Sequence, residues 1–444
     1  MSEHFHKYRR GYAGRGRGAP STPALSSESL PPERSLREGL HPIPVKALVR
    51  PTSQEVSNND IVVENLEYLG SFNWTNATKP TVIIPGCPGI WRDRSLPYRV
   101  RPDSGIRFVD QTGYRMPKYP LYPLVRAVEI MSEDKGDSFD WNKVDFVTDR
   151  NGLRKLLRWL NDTGTAKDFR IDTQLAGTHT VLLNRWEKKT REEPNPRYST
   201  YGFSFEREST DKAPGLEHAA ATGYHRIIKY VCTTHSPATI RLVQDLDGLT
   251  MVVRFEVDAC MPQTAGVSTQ ASRRQTDSTD LDSLSNMLSG LAVASDAGRS
   301  PQVDDDVSTS ELSVIRAGQI IPQNSLIEMT TRSQNNAINY DWVEGYPQLF
   351  LSQTPHHFLA VHNRGEFQRI EKRNLSDLKK VDAQSQRDFR ELRAALKTVQ
   401  DLVVEHGERG RLSLVFSDGN LEVFERKSQA SCLPEDVLNK FHGL

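Results

Sequence analysis

The segment MVVRFEVDAC, residues 251–260, is an apolar, β-branched run with two acids near its end. The run predicts the second strand of a hairpin that turns at DLDG, residues 245–248. Residues two apart in a strand project to the same face, so Glu256 and Asp258 would point together. Two neighbouring carboxylates raise each other's pKa unless a cation lies between them. The segment therefore predicts either a solvated edge face or a cation site.

Two further acids lie in apolar surroundings. Glu328 falls inside the strand-like run SLIEM, and Glu206 follows the apolar alternation of YGFSF. A buried carboxylate costs several kcal/mol unless it is neutralised. Taken singly, Glu206 could be a partly exposed acid, and Glu328 could pair with Arg254 or Arg332. Taken together, the acids predict a hard-cation site that suits Mg²⁺ or Mn²⁺, and hence hydrolysis of a phosphodiester or pyrophosphate.

The rest of the apolar pattern predicts an α/β fold of the α+β mixed-sheet type, with sheets flanked by helices. Strands are expected at residues 61–74, 81–86 and 178–189, and hairpins at 356–372 and 411–427. Helices are expected at 119–131, 151–162, 346–353 and 385–407, the last ending at a glycine. Segment 201–209 fits either the end of a strand or the entry to a helix.

Composition predicts one folded domain with two unstructured segments. Residues 1–55 are rich in Arg, Gly, Ser and Pro, which is typical of a disordered tail. Residues 56–444 carry the apolar pattern and predict a single domain. Within it, residues 262–324 are rich in Ser, Thr, Asp and Gln and predict a disordered insertion.

Several classes of protein have no support in the sequence. The 57 basic and 57 acidic residues balance, so net charge does not indicate a nucleic-acid binder. Four scattered cysteines form no metal-binding or disulfide framework and suit a reducing compartment. No apolar run is long enough for a membrane span and no signal peptide is recognisable, so we expect a nuclear or cytosolic protein. P-loop, nucleophile-elbow and HExxH motifs do not occur.

The order of these motifs resembles the Rai/DXO family of RNA decapping nucleases, a branch of the PD-(D/E)xK nuclease fold. The resemblance rests on five segments in chain order: DFVTDRNGLRKLL with Arg150, GFSFE ending at Glu206, EVD from Glu256 to Asp258, IEM with Glu328, and YPQLFL with Gln348. The flanking segments YPLYPLVRAVEIM and FLAVHNRGEF are similar too. The resemblance covers about residues 60–440 without the insertion, and it implies a single nuclease-like domain.

The resemblance implies a role for each of these residues. Glu256, Asp258, Glu328 and the backbone carbonyl of Met329 would hold the metal, and Glu206 would contact it directly or through water. Arg150 and Gln348 would hold the RNA 5′ end and its phosphates. The family removes incomplete or non-standard 5′ caps from RNA, including NAD caps. Some members also degrade the exposed RNA from 5′ to 3′, and some bind a separate 5′–3′ exoribonuclease.

Two departures from the family pattern bear on catalysis. Thr330 stands where the family has a lysine, and loss of one such pre-aimed group typically costs about 10²–10³ in rate. Arg332 would share the strand face of Thr330, so we hypothesise that it partly replaces the lysine. The segment TDRNG also differs from the Trp-Arg-Gly common in the family, which puts the role of Arg150 in question. The alternative is a catalytically weakened paralogue that binds RNA or an exoribonuclease.

Overall fold

The computed structural model describes residues 30–52, 56, 59–161, 166–195, 197–213, 216, 221–234, 248–263 and 302–443. The chain divides into two units, residues 1–32 and 33–444, and the second contains all the elements given below. None of the helices in the described ranges is long and apolar enough to cross a membrane.

The elements of the second unit are mostly strands. The strands are β1 Lys46–Leu48, β2 Ile61–Thr75, β3 Thr81–Gly86, β4 Gly89–Trp91, β5 Tyr98–Arg99, β6 Arg107–Phe108, β7 Phe146–Asp149, β8 Phe169–Ala176, β9 Thr180–Trp186, β10 Arg191–Glu192, β11 Thr210–Asp211, β12 Ala221–Thr234, β13 Leu249–Glu256, β14 Ala259–Cys260, β15 Ser313–Gly318, β16 Leu326–Ser333, β17 His356–Asn363, β18 Glu366–Asn374, β19 Arg411–Ser417 and β20 Asn420–Glu425. The helices are α1 Gln111–Arg115, α2 Tyr122–Glu133, α3 Arg150–Leu160, α4 Gly202–Glu208, α5 Gln334–Ala337, α6 Trp342–Ser352, α7 Lys379–His406 and α8 Glu435–Leu438.

Two large mixed sheets hold the described part of the domain together. The first has the strand order β1-β20-β19-β8-β9-β7-β13-β12-β2-β3-β15, and the second has β11-β4-β14-β16-β17-β18-β5. In the first sheet β13 pairs in parallel with β7 and antiparallel with β12. In the second sheet β16 pairs antiparallel with β14 and in parallel with β17. The predicted α/β class, mixed sheets flanked by helices, is confirmed.

The segment EVD marks the point where the chain passes from one sheet to the other. β13 ends at Glu256 in the first sheet, and β14 begins at Ala259 in the second. The prediction that Glu256 and Asp258 share one strand is therefore wrong, because Asp258 lies in the two-residue link between strands. The direction of the Asp258 side chain is therefore set by the backbone of this link and not by the alternation of a strand.

The predicted helices pack on the first sheet as their apolar spacing requires. In α3, Leu153, Leu156 and Leu157 are buried in the same hydrophobic cluster as Phe389 and Leu392 of α7. Replacing one such leucine by alanine would cost about 2–5 kcal/mol. The first residue of α3 is Arg150, which directly follows β7, so the packing of this helix fixes the arginine beside the end of β13.

Two of the expected boundaries need correction. The disordered tail was predicted to reach residue 55, but β1 pairs with β20, and Leu36 and Leu40 pack on Val415 and Phe424. The insertion was predicted to reach residue 324, but β15 pairs in parallel with β3 and extends the first sheet. Short segments like these become ordered because a sheet edge accepts them, and the composition of the surrounding sequence does not report that. Residues 1–29, 53–55 and 264–301, the remainder of the two predictions, lie outside the described residues.

A third correction concerns the hairpin around β13. Its predicted first strand and turn, residues 238–247, lie outside the described residues. The antiparallel neighbour of β13 within the described part is β12, a long strand that also pairs with β2. The segment YGFSFERES, left open between strand and helix, contains helix α4.

Candidate active site

A cleft of about 750 Å³ opens beside the junction of β13 and β14. Three of the predicted acids line it: Glu206, Glu256 and Asp258. The lining also includes Asp103, Arg107, Asp110, Asp149, Phe203, Arg207, Arg185, His225 and Arg254. The cleft is thus highly charged, and its lining carries both acids and arginines.

Glu256 ends β13 opposite His225 of β12. Its carboxylate is open to water in the cleft and yet surrounded by protein on several sides. This enclosure raises the pKa of Glu256 above its ordinary value, and Glu328 adds to the rise, while Arg185 and Arg150 oppose it. Ionisation of Glu256 is therefore less favourable than ionisation of a glutamate side chain in water.

Glu206 reaches the cleft from α4. The helix is anchored by Phe205, whose ring is fully buried against Trp91 and Phe367 of the second sheet. Burial of the carboxyl group, followed by the charges of Glu256, Glu328 and Asp103, raises the pKa of Glu206 to about 8. Near neutral pH, with no cation bound, the protonated form of this acid is therefore favoured.

Asp258 completes the acidic floor of the cleft. Burial, Glu328 and Glu206, in that order, hold its pKa well above the ordinary value. The backbone N–H of Met329 donates to its Oδ2 at 2.6 Å and works in the opposite direction. This hydrogen bond ties the link between the sheets to β16 and fixes the direction in which Asp258 points.

Glu328 has a different environment from the other three acids. Its side chain is buried in β16, and Arg150 Nη1 lies 2.9 Å from its Oε2. Gln348 of α6 donates from Nε2 to its other oxygen, Oε1. Neither arginine of the alternative considered for Glu328 alone forms a salt bridge with it: Arg254 pairs with Asp149 at 2.6 Å, and Arg332 donates to the carbonyl of Thr331 at 2.9 Å. Both oxygens of Glu328 are thus engaged by side chains of the protein itself.

Arg150 and Gln348 lie together behind the cleft. Besides Glu328, the guanidinium of Arg150 donates to Ser352 Oγ at 3.2 Å and more weakly to the carbonyl of Glu256 at 3.5 Å. Arg150 is 9% exposed, so the structure brings it to the acids but not to the open cleft. Its predicted contact with RNA phosphates, and that of Gln348, stay predictions.

The position of the missing lysine is occupied by a small polar cluster. Thr330 Oγ1 lies 3.2 Å from Nε2 of the buried His357, which also lies 3.3 Å from the hydroxyl of Tyr340. Arg332 is exposed on β16, with its guanidinium 5.4 Å from the centre of the Tyr340 ring. Arg332 is not among the residues that line the cleft in the described part of the chain. Its role as a substitute for the lysine stays a hypothesis.

The chemistry of these residues suits a divalent cation, but their spacing does not. Glu206, Glu256 and Asp258 are hard oxygen donors that repel one another, and in the described chain no lysine or arginine forms a salt bridge with them. However, no three His, Cys, Asp or Glu side chains of the described residues are placed to share one ion. The predicted set with Glu328 and Met329 is not assembled in this conformation.

The sequence pattern did not reveal several residues of the cleft. Arg185 sits in the apolar strand β9, where it donates to Glu187 at 2.7 Å and to the carbonyl of Val109 at 2.6 Å. Asp110 caps α1 by accepting from the Gly113 N–H. A charged residue inside an apolar run is the signal that could have found Arg185. Asp110 and His225 carry no such signal, since only the fold brings them to the acids.

The fold and this cleft define an α/β protein with a charged cleft, lined by Glu206, Glu256 and Asp258, as its candidate functional centre. A family model matches residues 40–442, which is most of the chain. The chain belongs to the family described as “Domain of unknown function (DUF8563)”. A search of curated protein sequences gives no significant match.

Solved structures of Rai1 and Dxo1 are similar to this chain. S. pombe Rai1 is 13% identical with a TM-score of 0.45, covering 83% of this chain and 96% of that one. C. albicans Rai1, in complex with pU5-Mn²⁺, is 12% identical with a TM-score of 0.49, covering 89% and 98%. K. lactis Dxo1, in complex with manganese, is 10% identical with a TM-score of 0.42, covering 91% and 97%. At identities of 10–13% this similarity concerns the fold alone.

Proposed function

We propose that this protein is a hydrolase that acts on RNA 5′ ends with a divalent cation, Mg²⁺ or Mn²⁺. The substrates would be incomplete or non-standard caps, NAD caps among them, and 5′ pyrophosphates, with 5′–3′ degradation of the exposed RNA as a further activity. One observation carries the proposal: Glu206, Glu256 and Asp258 share a single cleft, in which burial and the charges of neighbouring acids raise the pKa of each. Such a cluster is costly unless it serves a cation or a proton transfer.

Different residues of the chain would have different roles in this reaction. Glu206, Glu256 and Asp258 would supply oxygen ligands to the cation, and they would have to move closer together on binding, because the described residues do not place three such side chains around one ion. The bound cation would polarise a phosphate oxygen and activate water. Arg185 and Arg207 line the same cleft and would meet the negative charge of the phosphates. Arg150 would act from behind by fixing Glu328 and the carbonyl end of β13. The order of the family motifs supports RNA ends as the substrate.

The test is incubation of 5′-labelled RNAs with Mg²⁺ or Mn²⁺. Three substrates separate the activities: a triphosphate end, an unmethylated cap and an NAD cap. We expect release of label from at least one substrate by the wild-type protein. The matched control is Glu256→Ala/Asp258→Ala, which should release none. Absence of cation-dependent release from all three substrates would reject the hydrolase.

A second candidate is a catalytically weakened paralogue that binds RNA or an exoribonuclease. The observation in its favour is that Arg150 and Gln348 occupy both oxygens of Glu328, while Thr330 replaces the lysine. This candidate predicts RNA binding without turnover, and co-purification with a 5′–3′ exoribonuclease. It also predicts that Thr330→Lys creates or raises hydrolysis of the same labelled RNAs, whereas an already efficient enzyme would gain nothing from the change.

A further inference from the structure

An exposed aromatic ring stands at the mouth of the acidic cleft. Phe203, in the first turn of α4, is 47% exposed although it lines the cleft. The other phenylalanine of this helix, Phe205, is fully buried and anchors it. Phe205 thus holds the helix in place, and the exposed ring of Phe203 is not needed for the hydrophobic core. The exposed ring of Phe203 therefore offers an apolar face to a flat ligand in the charged cleft.

An immobilised guanidinium lies against the same ring. The guanidinium carbon of Arg107 is 5.1 Å from the centre of the Phe203 ring. Arg107 is fixed by Glu192, whose Oε1 accepts from its Nε at 2.9 Å and from its Nη2 at 2.6 Å. This pair bridges β6 and β10, which form a two-stranded sheet of their own. The guanidinium plane of Arg107 and the ring of Phe203 are therefore held in position before any ligand binds.

The helix places this platform next to the acids. Phe203 and Glu206 are three residues apart in α4, so they lie one above the other on the same face. Arg207, the next residue, also lines the cleft. A flat group stacked on Phe203 would carry its attached phosphates toward Glu206 and Arg207. Nucleobases are flat groups of this kind, and they stack on aromatic rings and on arginine planes.

We infer that Phe203 and Arg107 form a base-binding platform that takes the first, unpaired nucleobase of the substrate. The inference rests on the proposed function, because it assigns the ligand of that same cleft. It limits the substrate to single-stranded 5′ ends, since the base of a paired end is stacked inside its duplex and cannot lie on the ring. Stacking is tolerant of sequence, so the platform requires that a base is present but does not distinguish one base from another.

The test compares two short RNAs on the full-length protein. One is a 5′-phosphorylated pentauridylate with phosphorothioate linkages, and the other is identical but lacks its first base. Binding is measured by fluorescence anisotropy in Mg²⁺. The wild-type protein should bind the complete RNA about tenfold more tightly. Phe203→Ala should bind both RNAs with the weaker affinity, and Phe203→Trp should keep the preference.

A matched control is Tyr198→Ala, which removes another exposed ring, 64% exposed, that lines a neighbouring hollow and not the cleft. It should keep the tenfold preference. Retention of that preference by Phe203→Ala would overturn the platform. A base preference without hydrolysis would leave the platform standing and reject the hydrolase. Absence of RNA binding by the wild type would reject both.

Discussion

Two groups of acids lie near the end of β13, and they differ in whether an arginine of the protein neutralises their charge. In the first group, Asp149 and Glu328 are each met by an arginine, Arg254 at 2.6 Å and Arg150 at 2.9 Å. In the second group, Glu206, Glu256 and Asp258 line the cleft and form no salt bridge with the described lysines and arginines. The difference teaches that the same residue type serves structure in one group and is left available for a ligand in the other.

The largest effect should come from breaking the neutralised group. Arg150→Met leaves Glu328 buried without its cation, and we expect the free energy of unfolding to fall by about 3–5 kcal/mol. Chemical denaturation measures this loss. The control is Arg150→Met/Glu328→Gln, which removes both charges and should recover most of the stability. A loss below about 1 kcal/mol for the single variant would contradict the assignment of this ion pair as structural.

The cleft group should respond in the opposite way. Glu256→Gln and Asp258→Asn remove repelling charges with little change of shape, so stability should stay the same or rise. Hydrolysis, in contrast, should fall about 10²–10³-fold, because groups aimed at the reacting phosphate are lost. Initial rates on the labelled RNAs and denaturation curves of the same preparations separate the two outcomes. A destabilisation as large as that of Arg150→Met would erase the distinction between the groups.

The pH dependence of stability sharpens the comparison. The pKa of Glu206, about 8 in the folded protein, lies above its unfolded value, so the folded state binds the proton more tightly. The stabilisation is complete below the unfolded pKa and is lost as pH rises toward 8. Without divalent cations, we expect the free energy of unfolding of wild type relative to Glu206→Gln to fall by about 3–4 kcal/mol between pH 5 and pH 8. A difference that is flat or rises over this range would contradict the raised pKa.

The smallest effect is expected at Arg332. If its guanidinium stays on Tyr340, Arg332→Ala should change the rate of hydrolysis less than about twofold, a difference worth well under 1 kcal/mol. If Arg332 instead replaces the missing lysine, the same variant should lose at least about tenfold. Rates of Arg332→Ala and of Arg332→Lys on one substrate distinguish the two readings.

The sequence predicted the fold where apolar periodicity was long, and failed where order depends on a partner. Helices α2, α3, α6 and α7 and the hairpins β17–β18 and β19–β20 lie close to their expected positions. The short edge strands β1 and β15 were missed, because each owes its order to the sheet edge that it pairs with.

The same limit applies to the site. Motif order brought Glu206, Glu256 and Asp258 into one set, and all three line the cleft. The partner of Glu328 could not be predicted, since Arg150 lies 178 residues away in sequence and is positioned by the packing of α3. Ion pairs between distant segments follow from the fold, whereas a pair of acids two residues apart can be seen in the sequence itself.

The central claim is that the cleft acids, and not the acid behind them, provide the site for a divalent cation. Isothermal titration of Mn²⁺ into the full-length protein tests it most directly, with Glu256→Gln/Asp258→Asn and Glu328→Gln titrated in parallel. We predict one cation site in the wild type, loss of binding in the cleft variant, and retained binding in Glu328→Gln. Mn²⁺ affinity that is absent from the wild type, or unchanged in Glu256→Gln/Asp258→Asn, would contradict the account.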